Sequence, residues 1–87
     1  MKSKHLKVIQ TVLKLPSQSG IVWSEIESAF IAIGAEVTEG NGSRVRVKLN
    51  GVRAVFHRPH PRKEADKGAI ASVRRFLLEA GVEYVDV

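Results

Sequence analysis

The 87-residue chain has no cysteine, so disulfide staples and thiolate zinc sites are excluded. No apolar run approaches the roughly 18 residues that cross a bilayer. Residues 1–15, with spaced lysines and no cleavage site, do not read as a signal peptide. A cytoplasmic protein with no membrane partner is the expectation. Internal repeats and low-complexity segments are absent too, leaving a single domain over residues 1–87 with a modest core. A hydrophobic fraction of 44% with 26% charged residues is ordinary globular composition.

Acidic residues are scarce in one half of the chain. Between Arg44 and Arg75 ten Lys or Arg face only Glu64 and Asp66, whereas Ile21–Asn41 holds four glutamates and no Lys or Arg. With a net charge of +5, this distribution points to an anionic partner for the second half.

Apolar periodicity predicts a first helix over residues 3–15, with Leu6, Ile9 and Leu13 on one stripe and Val8, Val12 and Leu15 widening it. Pro16 and the Ser-Gln-Ser-Gly run end it. Ser24 and Glu27 have the spacing of a capping box opening a second helix, whose apolar face is Trp23, Ile26, Phe30 and Ile33 and whose stop is Gly34. Three strands follow, at Ala35–Glu39, Arg44–Leu49 and Val52–His57, then a proline-bearing loop. A last helix starts near Asp66 as N-cap, carries Ile70, Val73, Phe76, Leu77 and Ala80 inward, and closes at Gly81. Glu83–Val87 reads equally as a short strand or a tail. The order α-α-β-β-β-α predicts an α+β fold, a three-stranded antiparallel sheet packed on helices. Trp23, Ile26, Phe30, Val45, Val47, Phe56, Val73, Phe76 and Leu77 should be buried together.

Asn50-Gly51 is a strong signal for a two-residue hairpin turn. It sets Leu49 opposite Val52, and counting back pairs Lys48 with Arg53, Val47 with Ala54, Arg46 with Val55, Val45 with Phe56 and Arg44 with His57. One face is then wholly apolar. The other carries Arg44, Arg46, Lys48, Arg53, Val55 and His57, a face expected to hold no acidic residue. Like charges directly opposite destabilise a sheet, and a bound polyanion would relieve them. The plainer alternative is a solvated face whose long side chains splay into water.

His57 and His60, three apart among arginines, are placed for acid–base work near neutral pH. A lone histidine is more often a packed or surface residue, and His5 is read that way. A metal site is disfavoured, because no carboxylate stands at ligand spacing and the surroundings are cationic. Arg62, Lys63, Lys67, Arg74 and Arg75 would extend a phosphate track, or else simply line a solvated helix and loop.

The run FHRPHPRKEADKGAIASVRRFLLEAGV resembles the C-terminal half of the HicA family, toxins of bacterial HicA–HicB toxin–antitoxin pairs. That family ends a strand in a Pro-His-Pro loop and closes its final helix on Ala-Gly-Val or Ala-Gly-Ile. Gly42-Ser43 matches its Gly-Ser turn. The resemblance covers a core of roughly residues 24–82, with residues 1–20 as an extra N-terminal helix and loop. It implies a double-stranded-RNA-binding-domain-like fold, ribosome-independent cleavage of mRNA, and a HicB-like antitoxin partner that covers the active face. In one respect the chain departs from the family: the usual catalytic histidine directly after Gly-Ser is here Arg44.

His57, cross-strand from Arg44, can bring an imidazole to nearly the same space. On this reading His57 is the base, His60 the acid, and Arg44 and Arg46 the oxyanion clamp, with no metal or small-molecule cofactor. Ser43, Arg44, Arg46, Lys48, Arg53, Arg58 and Lys67 are the candidate RNA- and phosphate-binding residues. Two other readings stay open, a non-catalytic RNA-binding module and a protein-interaction domain with a basic face. A steep salt dependence of RNA binding would set the first two readings apart from the third.

Overall fold

A computed structural model of the chain describes residues 3–82. The elements are α1 (Ser3–Leu13), β1 (Ile21–Val22), α2 (Trp23–Ala32), β2 (Glu36–Glu39), β3 (Arg44–Leu49), β4 (Val52–His57), β5 (Glu64–Ala65) and α3 (Lys67–Glu79). Leaving aside the two-residue strands, this is the predicted α-α-β-β-β-α order. The architecture is α+β and double-stranded-RNA-binding-domain-like, with the three helices packed together on one face of an antiparallel sheet ordered β2-β3-β4.

The hairpin register is the one the turn dictates. Arg44 pairs with His57, Val45 with Phe56, and so on to Leu49 with Val52. Asn50 (φ 50°) and Gly51 (φ 81°) both take positive φ, as a type I′ turn requires. Asn50 also donates its side-chain N–H to the Ala80 carbonyl at 2.7 Å, tying the turn to the end of α3.

All nine residues expected in the core are buried. Phe30, Phe56 and Phe76 meet at centroid distances of 5.8 Å, and Trp23 reaches Phe56 at the same distance. Tilted, offset and edge-on ring pairs of this kind add to the area they bury. Helix α1 is no appendage: Val8, Ile9, Val12 and Leu13 join the same cluster, packed on α2 and α3. Leu15, expected on the apolar stripe, is 63% exposed, because α1 ends at Leu13, before the chain reaches Pro16.

Several local expectations are corrected. The Ser24–Glu27 capping box does not form: α2 starts at Trp23 after Val22, with no side-chain cap. The residues before it lie in a short ladder that the sequence reading missed, Ile21 with Ala65 and Val22 with Glu64. There the Trp23 N–H donates to the Lys63 carbonyl at 2.9 Å, so the first helical donor is already satisfied. The Asp66 cap is as expected, accepting from the Ala69 N–H at 2.8 Å. Gly34 (φ 94°) ends α2, with the Ala35 N–H returning to the Phe30 carbonyl. The open question over Glu83–Val87 lies outside the described residues.

Candidate nucleic-acid interface

Strand alternation fixes which side chains leave the core. Along β3 and β4, Val45, Val47, Leu49 and Phe56 are buried, while Arg44, Arg46, Lys48, Arg53, Val55 and His57 are exposed on the opposite face. Lys48 stands directly opposite Arg53, and Arg44 opposite His57. Among the described residues, Arg44, Arg46, Lys48 and Arg53 have no ion pair. The expectation of a face without acidic residues is corrected, because the sheet's third strand brings a carboxylate onto it. Strand β2 adds Glu36 opposite Lys48 and Thr38 opposite Arg46.

A groove runs from this face along β4 to the start of α3, and Val55, His57, His60, Arg62, Lys67 and Ser72 are among its lining residues. Both candidate catalytic histidines are exposed into one space. His57 is the last residue of β4, and His60 sits between Pro59 and Pro61. The ladder continues one step beyond His57, where the Arg58 N–H donates to the Ser43 carbonyl at 2.9 Å. This bond sets the Gly-Ser turn beside the strand end. The Ser43 side chain is exposed there, and Lys67 is exposed at the first position of α3.

Arg58 is placed differently from the other candidate cations. It follows Phe56 on the helix side of the sheet, and its guanidinium bonds two carboxylates at once. Nε and Nη2 donate to Glu27 at 2.8 and 3.0 Å, and Nη1 and Nη2 donate to Glu39 at 2.6 and 2.9 Å. Glu27 also accepts from the Trp23 indole N–H. These hydrogen bonds, those to Glu27 first and then those to Glu39, raise the Arg58 pKa further above its ordinary value. The hydrogen bond from Arg58 holds the Glu39 carboxyl below its ordinary value. The Arg58 fork, expected to grip phosphate, is occupied here by protein carboxylates and ties the strand end to α2 and β2.

Glu27 and Glu39 were missed as partners of Arg58 because their positions share no local spacing with it. The available signal was the charge asymmetry, four glutamates without a cation preceding a basic half. Arg74, expected on the phosphate track, also meets the protein. Its Nε donates to the Leu13 carbonyl at 3.2 Å, capping the end of α1. Arg62, Lys63 and Arg75 are exposed. Among the described residues no three His, Asp or Glu side chains gather as a metal site. No helix among them is long and apolar enough to cross a membrane.

A family model described as the HicA toxin of bacterial toxin–antitoxin matches residues 23–82, from the first residue of α2 to just past the end of α3. Helix α1 precedes the matched segment. No curated protein and no solved structure matches the chain.

Proposed function

Since the chain belongs to the HicA toxin family, and so has a cognate antitoxin as its partner, we propose that it acts as an mRNA interferase, cutting RNA by histidine acid–base chemistry on the basic sheet face. The observation that carries this reading is the cross-strand pair Arg44–His57, whose histidine lines a groove together with His60.

In the proposed reaction the His57 imidazole removes the proton of a ribose 2′-hydroxyl, whose oxygen attacks the adjacent phosphorus. His60 gives a proton to the departing 5′-oxygen. The products are a 2′,3′-cyclic phosphate and a 5′-hydroxyl end. Arg44 and Arg46 neutralise the charge that builds on the non-bridging oxygens, a role suited to the planar guanidinium fork. Lys48, Arg53 and Lys67 hold flanking phosphates, and the Ser43 hydroxyl adds a hydrogen bond at the turn. Both proton transfers and the charge neutralisation come from side chains, so the scheme asks for no metal. A HicB-like antitoxin blocks this face by covering it.

Arginine at position 44, where the family usually has histidine, favours one second reading: a toxin-family fold that binds RNA without cutting it. Induced expression of wild type beside His57→Ala in a bacterial host separates the two. Growth arrest with cleaved reporter mRNA in the wild type alone supports the interferase. Intact mRNA from both, with RNA retained on the purified protein, supports the binding module.

A further inference from the structure

Five of the six exposed positions on the β3–β4 face are cationic or imidazole side chains, and the sixth is Val55. Val55 is 55% exposed. Arg46 stands directly opposite it, and Arg53 and His57 flank it on its own strand. Arg44 and Lys48 are its diagonal cross-strand neighbours by the same register. Among the described residues β4 has no strand partner on its other side, and Val55 lines the groove that leads to His57 and His60. Among the described residues the other large exposed apolar side chains, Leu15, Ile31 and Leu78, lie on helices or beyond a helix end.

Phosphate has nothing to gain from an isopropyl group. A face serving only a phosphate track would place a cation or a small hydroxyl at its centre, and threonine would suit the strand equally well. An apolar patch ringed by cations fits a ligand with an apolar plane beside its negative charge, which describes a nucleotide. In a duplex the flat faces of the bases are buried in the stack, so only an unpaired base can lay its face on Val55. We propose that Val55 is the contact for the base of an unpaired nucleotide, setting the adjoining phosphodiester beside His57, Arg44 and Arg46. The site thereby selects single-stranded over duplex RNA, although the fold resembles a duplex-binding domain. This rests on the RNA-cleaving reading above and adds the strandedness of the substrate to it.

The test compares full-length wild type, Val55→Thr and Val55→Ile. Thr is nearly isosteric and suited to a strand, and Ile keeps the apolar surface. The probes are a 2′-O-methyl oligoribonucleotide that resists cleavage, the same oligonucleotide annealed to its complement, and inorganic polyphosphate. Thermal unfolding confirms that each variant is folded. The expected result is an about fivefold weaker affinity of Val55→Thr for the single strand, the size of one lost apolar contact. Val55→Ile should match the wild type, and polyphosphate and duplex binding should be the same for all three proteins. Unchanged single-strand affinity in Val55→Thr overturns the base contact but leaves the RNA reading standing, as it would if Val55 served the antitoxin instead. An equal loss on polyphosphate or duplex also overturns it. A wild type that binds no RNA overturns both this inference and the reading it rests on.

Discussion

Arg58 and Glu27 are 31 positions apart in the chain, yet they form a two-point pair with N–O distances of 2.8 and 3.0 Å. The same guanidinium also pairs with Glu39 on β2. One side chain thus joins α2, β2 and the residue that follows His57. The strand end carrying the candidate base is held to the helical layer by this three-residue clamp, and to the Gly-Ser turn by the Arg58 backbone N–H.

Breaking the clamp from either acid lowers the midpoint of thermal unfolding, and by different amounts. Glu27→Gln should cost more than Glu39→Gln, because the Glu27 side chain is 18% exposed and that of Glu39 71%. Arg58→Ala should be worse than either, since it leaves Glu27 half-buried without its cation. Differential scanning calorimetry of the three variants gives the ranking directly.

Glu39 also sets a pH dependence. Arg58 holds its carboxyl below the ordinary value of 4.5 in the folded protein. The resulting stabilisation is fully present above that ordinary value and disappears as pH falls through the lower, folded value. Urea unfolding between about pH 3 and 7 should show this acid limb in the wild type and a shallower one in Glu39→Gln. An unchanged limb in the variant would show that Arg58 and Glu39 do not pair in solution.

Helix α1 lies outside the family-matched segment, yet its inner residues belong to the common core. Leu13→Ala should destabilise by about 2–4 kcal/mol, the usual range for a buried leucine that leaves a cavity. Leu15→Ala, two residues on and exposed, should change stability by less than about 0.5 kcal/mol. Chemical denaturation of both variants measures the contrast.

The turn residue Asn50 acts twice, through its positive φ and through its side-chain bond to Ala80. Asn50→Gly keeps the conformation and loses only the bond. Asn50→Ala loses both, and should be less stable than Asn50→Gly by about 1 kcal/mol. Equal stability of the two variants would show that the turn carries no conformational strain.

The sequence made the hairpin face legible because turn chemistry and strand alternation are local rules. Once Asn50-Gly51 is a two-residue turn, the partner of every residue from Arg44 to His57 follows. The last helix was legible for the same reason, with Asp66 and Gly81 bounding an apolar stripe. What escaped was whatever distant segments decide together. The β1–β5 ladder has two residues on each side and no pattern to announce it. The Ser24 cap gave way because β5 and Lys63 hold the preceding backbone in another arrangement. Arg58 read as a surface cation like its neighbours, since nothing near it in sequence revealed the two glutamates that meet it in the fold. Glu36 opposite Lys48 escaped similarly, because the turn at residues 40–43 has four residues and does not fix the register of β2 as a two-residue turn does.

The salt dependence of RNA binding should report the basic face one residue at a time. Removing Arg46 or Arg53 should reduce the slope of log affinity against log salt by about 0.7, the value for one phosphate contact on a single strand. Arg58→Ala should leave the slope unchanged, because that guanidinium faces Glu27 and Glu39 rather than the outer face.

The most direct test of the central claim, that His57 makes this fold an RNA-cutting toxin, is cleavage of a purified mRNA by wild type and His57→Ala in the presence of a chelator. The wild type should cleave, leaving 2′,3′-cyclic phosphate and 5′-hydroxyl ends. The rate should be about 10²–10⁴-fold lower in His57→Ala, the usual contribution of a general base, with RNA affinity retained. Cleavage by His57→Ala at the wild-type rate, or none by the wild type, would contradict that claim.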